Sequence, residues 1–370
     1  MMKKNSIKYR AYLLKRSEDE IKKRVLKNNL RRKDNSLKRG FYVLISPCNF
    51  TLASSGSRDR LLSFIKALHK MVANGKRKIW LDFSNTEKVV ADGMIYLFAE
   101  ISRMKKLFPK LVIKSTPPKD KIVGQVFKKI GFSNLIDCYI PNRSESNRKD
   151  VSNWLSASGV NVYARECGNI LSHYKGRIAP SLSRELFKGM SEAMTNANHH
   201  AYIGKRDDPF SYVENFKPWW LFSQEVDGYL TVVFCDLGIG IPETLPKNKP
   251  SLMKRLVATF GNDLNDAITI KEAVVDSVTR THKSHRGKGL RQVVETVDEC
   301  ESGQMYIFSN YGCYHYKSGG KDSIYDFANS IKGTIISWKV SMPEEAKIEN
   351  AKYGAVSGFS GLDETTLSRA

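Results

Sequence analysis

Two side chains in the second half of the chain have types and spacing that suit chemistry on a phosphate. Glu192 and Asn196 are four residues apart, so they share one face of a helix. An amide oxygen is a good neutral ligand for Mg²⁺, an ion held mostly by water and phosphates. A glutamate one turn away can accept a proton from a water or hydroxyl aimed at a phosphate. The pair predicts a metal-assisted phosphate site, although this spacing is also typical of a solvated helix face.

A second stretch places one carboxylate at the end of an apolar strand. The strand ends in Asp236, and Gly238 and Gly240 follow it. A buried carboxylate there can accept a hydrogen bond from an exocyclic amine such as that of adenine. The glycines allow the backbone to turn and to approach a ring closely. The alternative interpretation is an ordinary strand-to-loop turn.

A third stretch, Arg286–Leu290, suits the binding of a phosphate group. Gly287 and Gly289 would open a helix whose first N–H groups are free to bind phosphate, and Arg286 and Lys288 add positive charge. A P-loop is excluded because the pattern G-x-x-x-x-G-K-[ST] is absent. The alternative is a glycine-rich helix start with a basic, solvated face.

The hydrophobic pattern predicts the elements that carry these stretches. A long helix from Ser181 to about Ala201 carries the first stretch. An irregular segment containing Trp219 and Trp220 follows, and then a strand over Tyr229–Cys235 leads to Asp236. Upstream, strands alternate with helices, which favours an α/β layer. The predicted upstream strands are 41–45, 78–83 and 111–113, the predicted upstream helices are 58–74, 93–106 and 122–130, and two late strands are predicted at 305–308 and 334–340.

In this order, the three stretches resemble the N, G1 and G2 boxes of the GHKL ATPase superfamily of gyrase, heat-shock chaperone, histidine kinase and MutL proteins. Gly333-Thr334 is similar to the closing G-T element of that superfamily. The resemblance covers residues 170–341 and implies a Bergerat-type α/β sandwich that binds ATP and Mg²⁺. It implies that Glu192 is the general base, that Asn196 holds Mg²⁺, and that Asp236 binds the adenine amine with Thr334 nearby.

The run from Glu192 to Tyr202 looks closest to the serine-kinase anti-sigma, or switch-kinase, branch of the superfamily. In that comparison residues 242–286 would form the ATP lid. For the two histidines of the run, the alternative is helix capping or packing near Trp219 and Trp220. The further nucleotide-binding positions that the resemblance implies are His199, His200, Gly238, Gly240, Ile241, Arg286, Gly287, Lys288, Gly289 and Leu290.

The first half of the chain resembles a different family. Leu81-Asp82-Phe83 and Asp92-Gly93 look like the core of a STAS (anti-sigma-factor-antagonist) domain. In that family a phosphorylated Ser or Thr usually precedes the helix-opening glycine, whereas this chain has Asp92. A carboxylate cannot accept phosphate as an ester, so Asp92 is either a permanent mimic of the charged state or, the interpretation we favour, a simple helix-capping residue.

Charge is concentrated at the start of the chain. The 370 residues carry a net charge of +22, and residues 1–40 hold fifteen basic and four acidic residues, a net charge of +11. Such a segment can bind nucleic acid or anionic lipid, or it can be a solvated basic helix. No apolar run reaches the roughly 20 residues of a membrane helix, and no secretory signal is recognised. Six cysteines without a CxxC pair favour a reducing cytoplasm.

The predicted fold class is therefore α/β (α+β), a STAS-like domain followed by a GHKL α/β sandwich. Three functional hypotheses follow: an ATPase or Ser/Thr switch kinase of bacterial signalling, a non-catalytic ATP-gated interaction module, and a nucleic-acid-associated ATPase. The expected partners are ATP, a STAS- or sigma-regulator-like protein, nucleic acid through residues 1–40, and a second copy in a homodimer. The predicted divisions are a basic helical arm (1–38), the STAS-like domain (39–141), a linker (142–170), the ATP-binding domain (171–341) and a flexible tail (342–370).

Overall fold

The structure is a computed structural model. It describes residues 38, 40–141, 151, 153–162, 164–211, 213, 216–279, 294, 297–298, 300 and 302–342. The basic arm apart from Lys38, the phosphate-binding stretch Arg286–Leu290 and the tail beyond Met342 lie outside the described residues. Neither the predicted helix of the arm nor the third motif is therefore part of the structural account.

The described residues form a mixed α/β fold, which confirms the broad α/β (α+β) class. The strands are β1 (Tyr42–Ile45), β2 (Asn49–Phe50), β3 (Lys78–Asp82), β4 (Lys88–Val89), β5 (Val112–Thr116), β6 (Leu155–Gly159), β7 (Trp219–Val226), β8 (Tyr229–Asp236), β9 (Gly303–Ser309), β10 (Gly312–Lys317), β11 (Lys321–Asp326) and β12 (Thr334–Ser341). The helices are α1 (Ser55–Ala73), α2 (Ala91–Leu107), α3 (Lys121–Lys129), α4 (Phe132–Leu135), α5 (Ala164–Ser172), α6 (Pro180–Asn196), α7 (Ile241–Asn248), α8 (Pro250–Phe260) and α9 (Asp266–Thr279).

The first half of the chain forms a small parallel sheet in the order β1-β3-β5, beside a two-stranded pair of β2 and β4. Apolar residues of the sheet, such as Ile79, Leu81 and Ile113, are buried against the helices. Helix α2 also packs against β7, β8 and β12 of the second sheet. The first half is therefore joined to the second through a shared hydrophobic core.

The second half forms a seven-stranded antiparallel sheet in the order β11-β10-β9-β12-β8-β7-β6. Alternate residues of each strand point to opposite faces. On β8, Val233 and Cys235 belong to the core shared with α2, whereas Val232 and Phe234 belong to a core formed with α5, α6 and α9. Both faces of this sheet are covered, and its two faces have separate roles: one binds the first half and the other carries the candidate site.

The predicted linker 142–170 differs from the observed structure. Strand β6 pairs with β7, and α5 packs against both β6 and α6. The sequence of β6 is Leu-Ser-Ala-Ser-Gly, so it has little apolar alternation by which a strand is recognised. A long-range contact holds it instead: a Cβ on Gly159 would lie 2.7 Å from the Trp219 ring, and Trp219 Nε1 donates to Asn161 O at 2.6 Å.

Five further strands are absent from the sequence-based prediction, among them the two-residue strands β2 and β4. Trp219 and Trp220 were assigned to an irregular segment but begin β7, and β10 and β11 were not predicted at all. Strand β11 is mostly exposed and lies at the edge of the sheet, so it also lacks a clear alternating pattern. In the part of the chain that the structure describes, no helix is both long enough and apolar enough to cross a membrane.

Candidate functional site

The buried carboxyl group of Asp236 lies at the end of β8, directly opposite Thr334 of β12. The alternation of β8 places it on the same face as Phe234, toward α6. Its Oδ1 accepts a hydrogen bond from the Gly238 N–H at 3.0 Å. Burial raises the pKa of Asp236 to about 7, although backbone hydrogen bonds from Gly238 and Thr334 and the charge of Arg206 act in the opposite direction. A hydrogen-bond donor arriving at this carboxylate would stabilise its charged form.

The loop after Asp236 docks on the end of the helix that carries Glu192 and Asn196. The Ile239 N–H donates to Ala201 O at 2.8 Å. A Cβ on Gly238 would lie 2.3 Å from the same carbonyl oxygen, so only glycine permits this approach. The structure therefore joins the first two motifs directly, and it explains Gly238 by close backbone packing.

Asn310, in the turn between β9 and β10, holds this loop from the other side. Gly240 has a φ of +85°, and a Cβ there would lie 2.6 Å from Asn310 Oδ1. Asn310 Nδ2 donates to Ile239 O at 2.9 Å, while its Oδ1 accepts from the Gly333 N–H at 3.2 Å. Sequence reasoning missed this residue; its only signal was a polar, turn-forming Ser-Asn-Tyr-Gly sequence between two strands.

The hydroxyl of Ser309 completes the wall of the site. It accepts from the Ile241 N–H at 2.8 Å, donates to Gly333 O at 3.1 Å, and lies 3.2 Å from the Thr334 hydroxyl. Ile241 and Thr334, both predicted nucleotide-site residues, are thus brought to one hydroxyl group. Ser309 is fully buried and was also missed by the sequence analysis.

Tyr202 links the helix that bears the first motif to the strand that bears the second. Its hydroxyl donates to Pro218 O and accepts from the Leu237 N–H at 2.9 Å. The ring is buried, and burial together with the nearby Asp236 charge raises its pKa well above the ordinary value. The phenol therefore stays protonated at neutral pH and serves as a fixed connector.

Glu192 and Asn196 lie one turn apart on α6, as their spacing predicted. Both are half-buried. Burial raises the pKa of Glu192, while the neighbouring Asn196 side chain and His199 act to lower it. A carboxylate whose pKa is raised toward neutral is a better proton acceptor than a fully solvated one.

His199 and His200 lie in a turn of π-helix, Ala197–Ala201, that continues α6. Both are exposed, and their rings meet edge to face with centroids 6.0 Å apart. Although His200 is exposed as a whole, partial burial of its side chain lowers its pKa, and the charges of His199 and Lys249 lower it further. Since π-turns inside helices are frequent at functional sites, the position suits contact with a ligand. Among the described ring contacts, neither histidine ring pairs with Trp219 or Trp220.

The predicted lid contains three helices, α7, α8 and α9, within residues 241–279. A small apolar core joins them, and Asp276 on α9 accepts from Lys249 and Arg255, both at 3.1 Å. Helix α7 contacts the π-turn that bears the two histidines. The described part of the lid is therefore an ordered helical unit next to α6, while its continuation into Arg286–Leu290 lies outside the described residues.

Within the described ranges, no group of three or more His, Cys, Asp and Glu side chains is arranged to hold a metal ion. A Mg²⁺ held by Asn196 would be a site of another kind, because this ion usually keeps several waters and binds few protein ligands besides phosphate oxygens. The half-buried amide on α6 fits that role, and the buried Asp236 carboxyl fits an adenine amine.

Asp92, the predicted counterpart of a phosphorylated residue, is buried in the first turn of α2. Its Oδ2 accepts from the Leu52 N–H at 3.1 Å and from the Thr51 hydroxyl at 3.4 Å. Burial raises its pKa, and these hydrogen bonds lower it. A Cβ on Gly93 would lie 2.4 Å from the Phe50 carbonyl carbon, so the helix start is pressed against this loop. The geometry is that of a residue that fixes a loop at a helix N-terminus.

The predicted site residues of α6, β8 and β12 lie around the loop that follows Asp236. Asp236, Gly238, Gly240, Ile241 and Thr334 are joined by the contacts above. Glu192, Asn196, His199 and His200 are connected to them through Ala201. The arrangement offers a buried acceptor at one end and a half-buried carboxylate–amide pair at the other.

A scan against protein-family models and a search of curated protein sequences gave no match for this chain.

Proposed function

We propose that this chain is an ATP- and Mg²⁺-binding regulatory protein of the GHKL type, closest to the anti-sigma switch kinases, with a STAS-like first half. In this proposal it hydrolyses ATP or transfers its terminal phosphoryl group to a Ser or Thr of a partner protein. The support is the order of the four motifs together with the contacts that join three of them at Ala201, Asn310 and Ser309.

The observation that carries the proposal is the Asp236 carboxyl group. It is almost fully buried, its pKa is raised to about 7, and it lies beside Thr334 at the edge of the loop. Burial of an acidic group with few hydrogen-bond partners lowers the stability of the folded state. Such groups are therefore typical of sites where a ligand supplies the missing partner. The adenine amine is a donor that suits this acceptor.

The two predicted catalytic-site residues on α6 would have different roles. Glu192 would accept the proton of the attacking water or hydroxyl, and Asn196 would hold Mg²⁺ beside the phosphates. The bound ion would neutralise the charge that develops on the transferred phosphoryl group. Because the two side chains lie one turn apart on the same face of α6, the base and the metal ligand would act side by side.

The first test is calorimetric titration of the full chain with ATP and Mg²⁺, followed by measurement of phosphate release with and without candidate proteins and DNA. Saturable ATP binding that requires Mg²⁺ is expected. No binding of ATP, ADP or adenosine under any condition would reject the proposal as a whole.

The affinity for ATP is expected to rise with pH between pH 6 and 8. The amine donor binds the charged carboxylate, so binding pulls the Asp236 pKa down from about 7 and releases a proton. The rise should approach roughly tenfold over this interval, because the charged fraction increases about that much around the pKa. Titrations with the Asp236→Asn variant supply the correction for phosphate and histidine ionisation. Equal pH profiles for the two proteins would exclude Asp236 as the titrating group.

Any nucleic-acid binding is expected to depend on the basic arm and to weaken steeply with salt, since it would rest on counterion release. A truncation that begins at Lys38 is the appropriate variant. Lys38 forms a salt bridge with Asp82 at 3.0 Å and lies over the Trp80 ring, so it belongs to the folded part. If this truncation binds DNA and RNA as well as the full chain, the arm is a solvated segment and the nucleic-acid hypothesis fails.

A further inference from the structure

The segment that leads into β12 is held by side chains from the first half of the chain. This segment, Asn329–Gly333, is called the rim loop here because Thr334 and the predicted adenine pocket follow it directly. A Cβ on Gly333 would lie 2.5 Å from Asp236 O, and the Gly333 carbonyl accepts from Ser309. The rim loop is therefore packed directly against the end of β8 that carries Asp236.

Helix α1 reaches the rim loop through Arg58. Its Nη2 donates to Asn329 O at 3.3 Å and lies 3.5 Å from Asn310 O. Asp59, the next residue, accepts from Asn329 Nδ2 at 2.9 Å. Asn310 also donates to Ile239 O, so this one residue links Arg58 to the loop between Gly238 and Gly240.

Helix α2 reaches the same loop two residues further on, directly through Tyr96 and indirectly through Arg206. The Tyr96 hydroxyl donates to Ile331 O at 2.7 Å. Arg206 donates to both Ile331 O and Lys332 O, and Glu100 of α2 holds its guanidinium at 2.5 Å. Arg58 of α1 and Tyr96 of α2 therefore bind the backbone carbonyl groups of residues 329 and 331, and Arg206, itself held by Glu100 of α2, binds those of residues 331 and 332.

We propose that α1 and α2 form part of the nucleotide site by fixing the rim loop, with Arg58 and Tyr96 as positioning residues for the adenine end of the pocket. The first half of the chain is then a fixed wall of the site and not a separate module. This inference rests on the proposed function, because it concerns the same nucleotide pocket.

Arg58 is expensive to keep for stability alone. The side chain is fully buried, and its Nε and Nη1 have no hydrogen-bond partner. Its guanidinium lies 4.1 Å from the Phe327 ring centroid and 5.6 Å from that of Phe308. Burial lowers its pKa to about 10. Because an apolar side chain can replace a poorly paired buried charge at little cost, a role in positioning explains its presence better than a role in folding.

The test is the Arg58→Met variant, with Arg60→Met as control. Arg60 is exposed on the same helix, so its loss changes the charge equally without touching the rim loop. We expect Arg58→Met to keep a melting temperature close to wild type while its affinity for ATP falls roughly threefold to twentyfold, the size typical of coupling through a packed network. Arg60→Met should leave both quantities unchanged.

A second variant, Tyr96→Phe, removes only the hydroxyl that holds Ile331 O, so it keeps the proposal testable if Arg58→Met does not fold. We expect a smaller loss of ATP affinity and faster amide exchange at Gly333 and Thr334 in the ligand-free protein. If the folded variants bind ATP like the wild type, the positioning role is wrong and the proposed function stands. If the wild type binds no adenine nucleotide, both the proposed function and this inference fall.

Discussion

Replacing Glu192 by Ala is expected to reduce ATP turnover by about 10²–10⁴-fold, the usual contribution of a general base, while ATP affinity stays within about threefold of wild type. Glu192 lies on α6 one turn from Asn196, so its carboxylate is placed for the phosphate end of the ligand and not for the adenine. Removing a negative charge near a triphosphate does not weaken the binding of the nucleotide. Steady-state phosphate release and calorimetric titration measure the two quantities separately.

Three further variants make this result specific. Glu192→Gln keeps the shape of the side chain and removes only its ability to accept a proton, so it should be as inactive as the alanine variant. Asn196→Ala should lose the metal, and with it both binding and turnover. Glu185→Ala removes a carboxylate that pairs with Lys188 on the same helix and should leave both quantities intact. If the wild type neither hydrolyses ATP nor transfers phosphate, and Glu192→Ala binds its partners like the wild type, the enzyme hypothesis fails and the ATP-gated module remains.

Replacing Asp236 by Asn is expected to weaken ATP binding by about 10- to 150-fold at pH 8, because a hydrogen bond to a charged group contributes about 1.5–3 kcal/mol. The variant keeps an oxygen for the Gly238 N–H, so the loop should stay in place. Calorimetry with ATP and with adenosine separates the loss of affinity for the adenine ring from any loss of affinity for the phosphates. An unchanged affinity for both ligands would remove Asp236 from the pocket.

This variant should not lose stability, which makes the binding result clear. The folded state raises the Asp236 pKa from 3.8 to about 7, so folding takes up a proton between these values and the charged form is disfavoured in the fold. The contribution of this group to stability is therefore present at low pH and is lost as pH rises through about 7. Asn carries no charge, so at pH 8 its free energy of unfolding should equal or exceed that of wild type. Asp227→Asn, at an exposed hairpin turn, is the matched control.

The hydrophobic pattern of the sequence was sufficient to predict the bounds of those elements whose apolar residues repeat regularly. Helices α1 and α2 and strand β8 begin and end within about three residues of the predicted bounds, because their apolar residues repeat with the period of the element. Strands β6 and β11 were missed for the opposite reason. Each is an edge strand with few buried apolar residues, and pairing with its neighbour holds it in the sheet.

The sequence by itself determined that Glu192 and Asn196 share a helix face and that Asp236 ends a buried strand, because both follow from spacing along a regular backbone. Only the tertiary structure decided what surrounds them. Asn310 and Ser309 join the loop, and Arg58 reaches Asn310 across 252 residues of sequence. The raised pKa of Asp236 likewise arises from burial between α6 and the sheet. Such contacts depend on how whole elements pack, and no local period of the sequence encodes them.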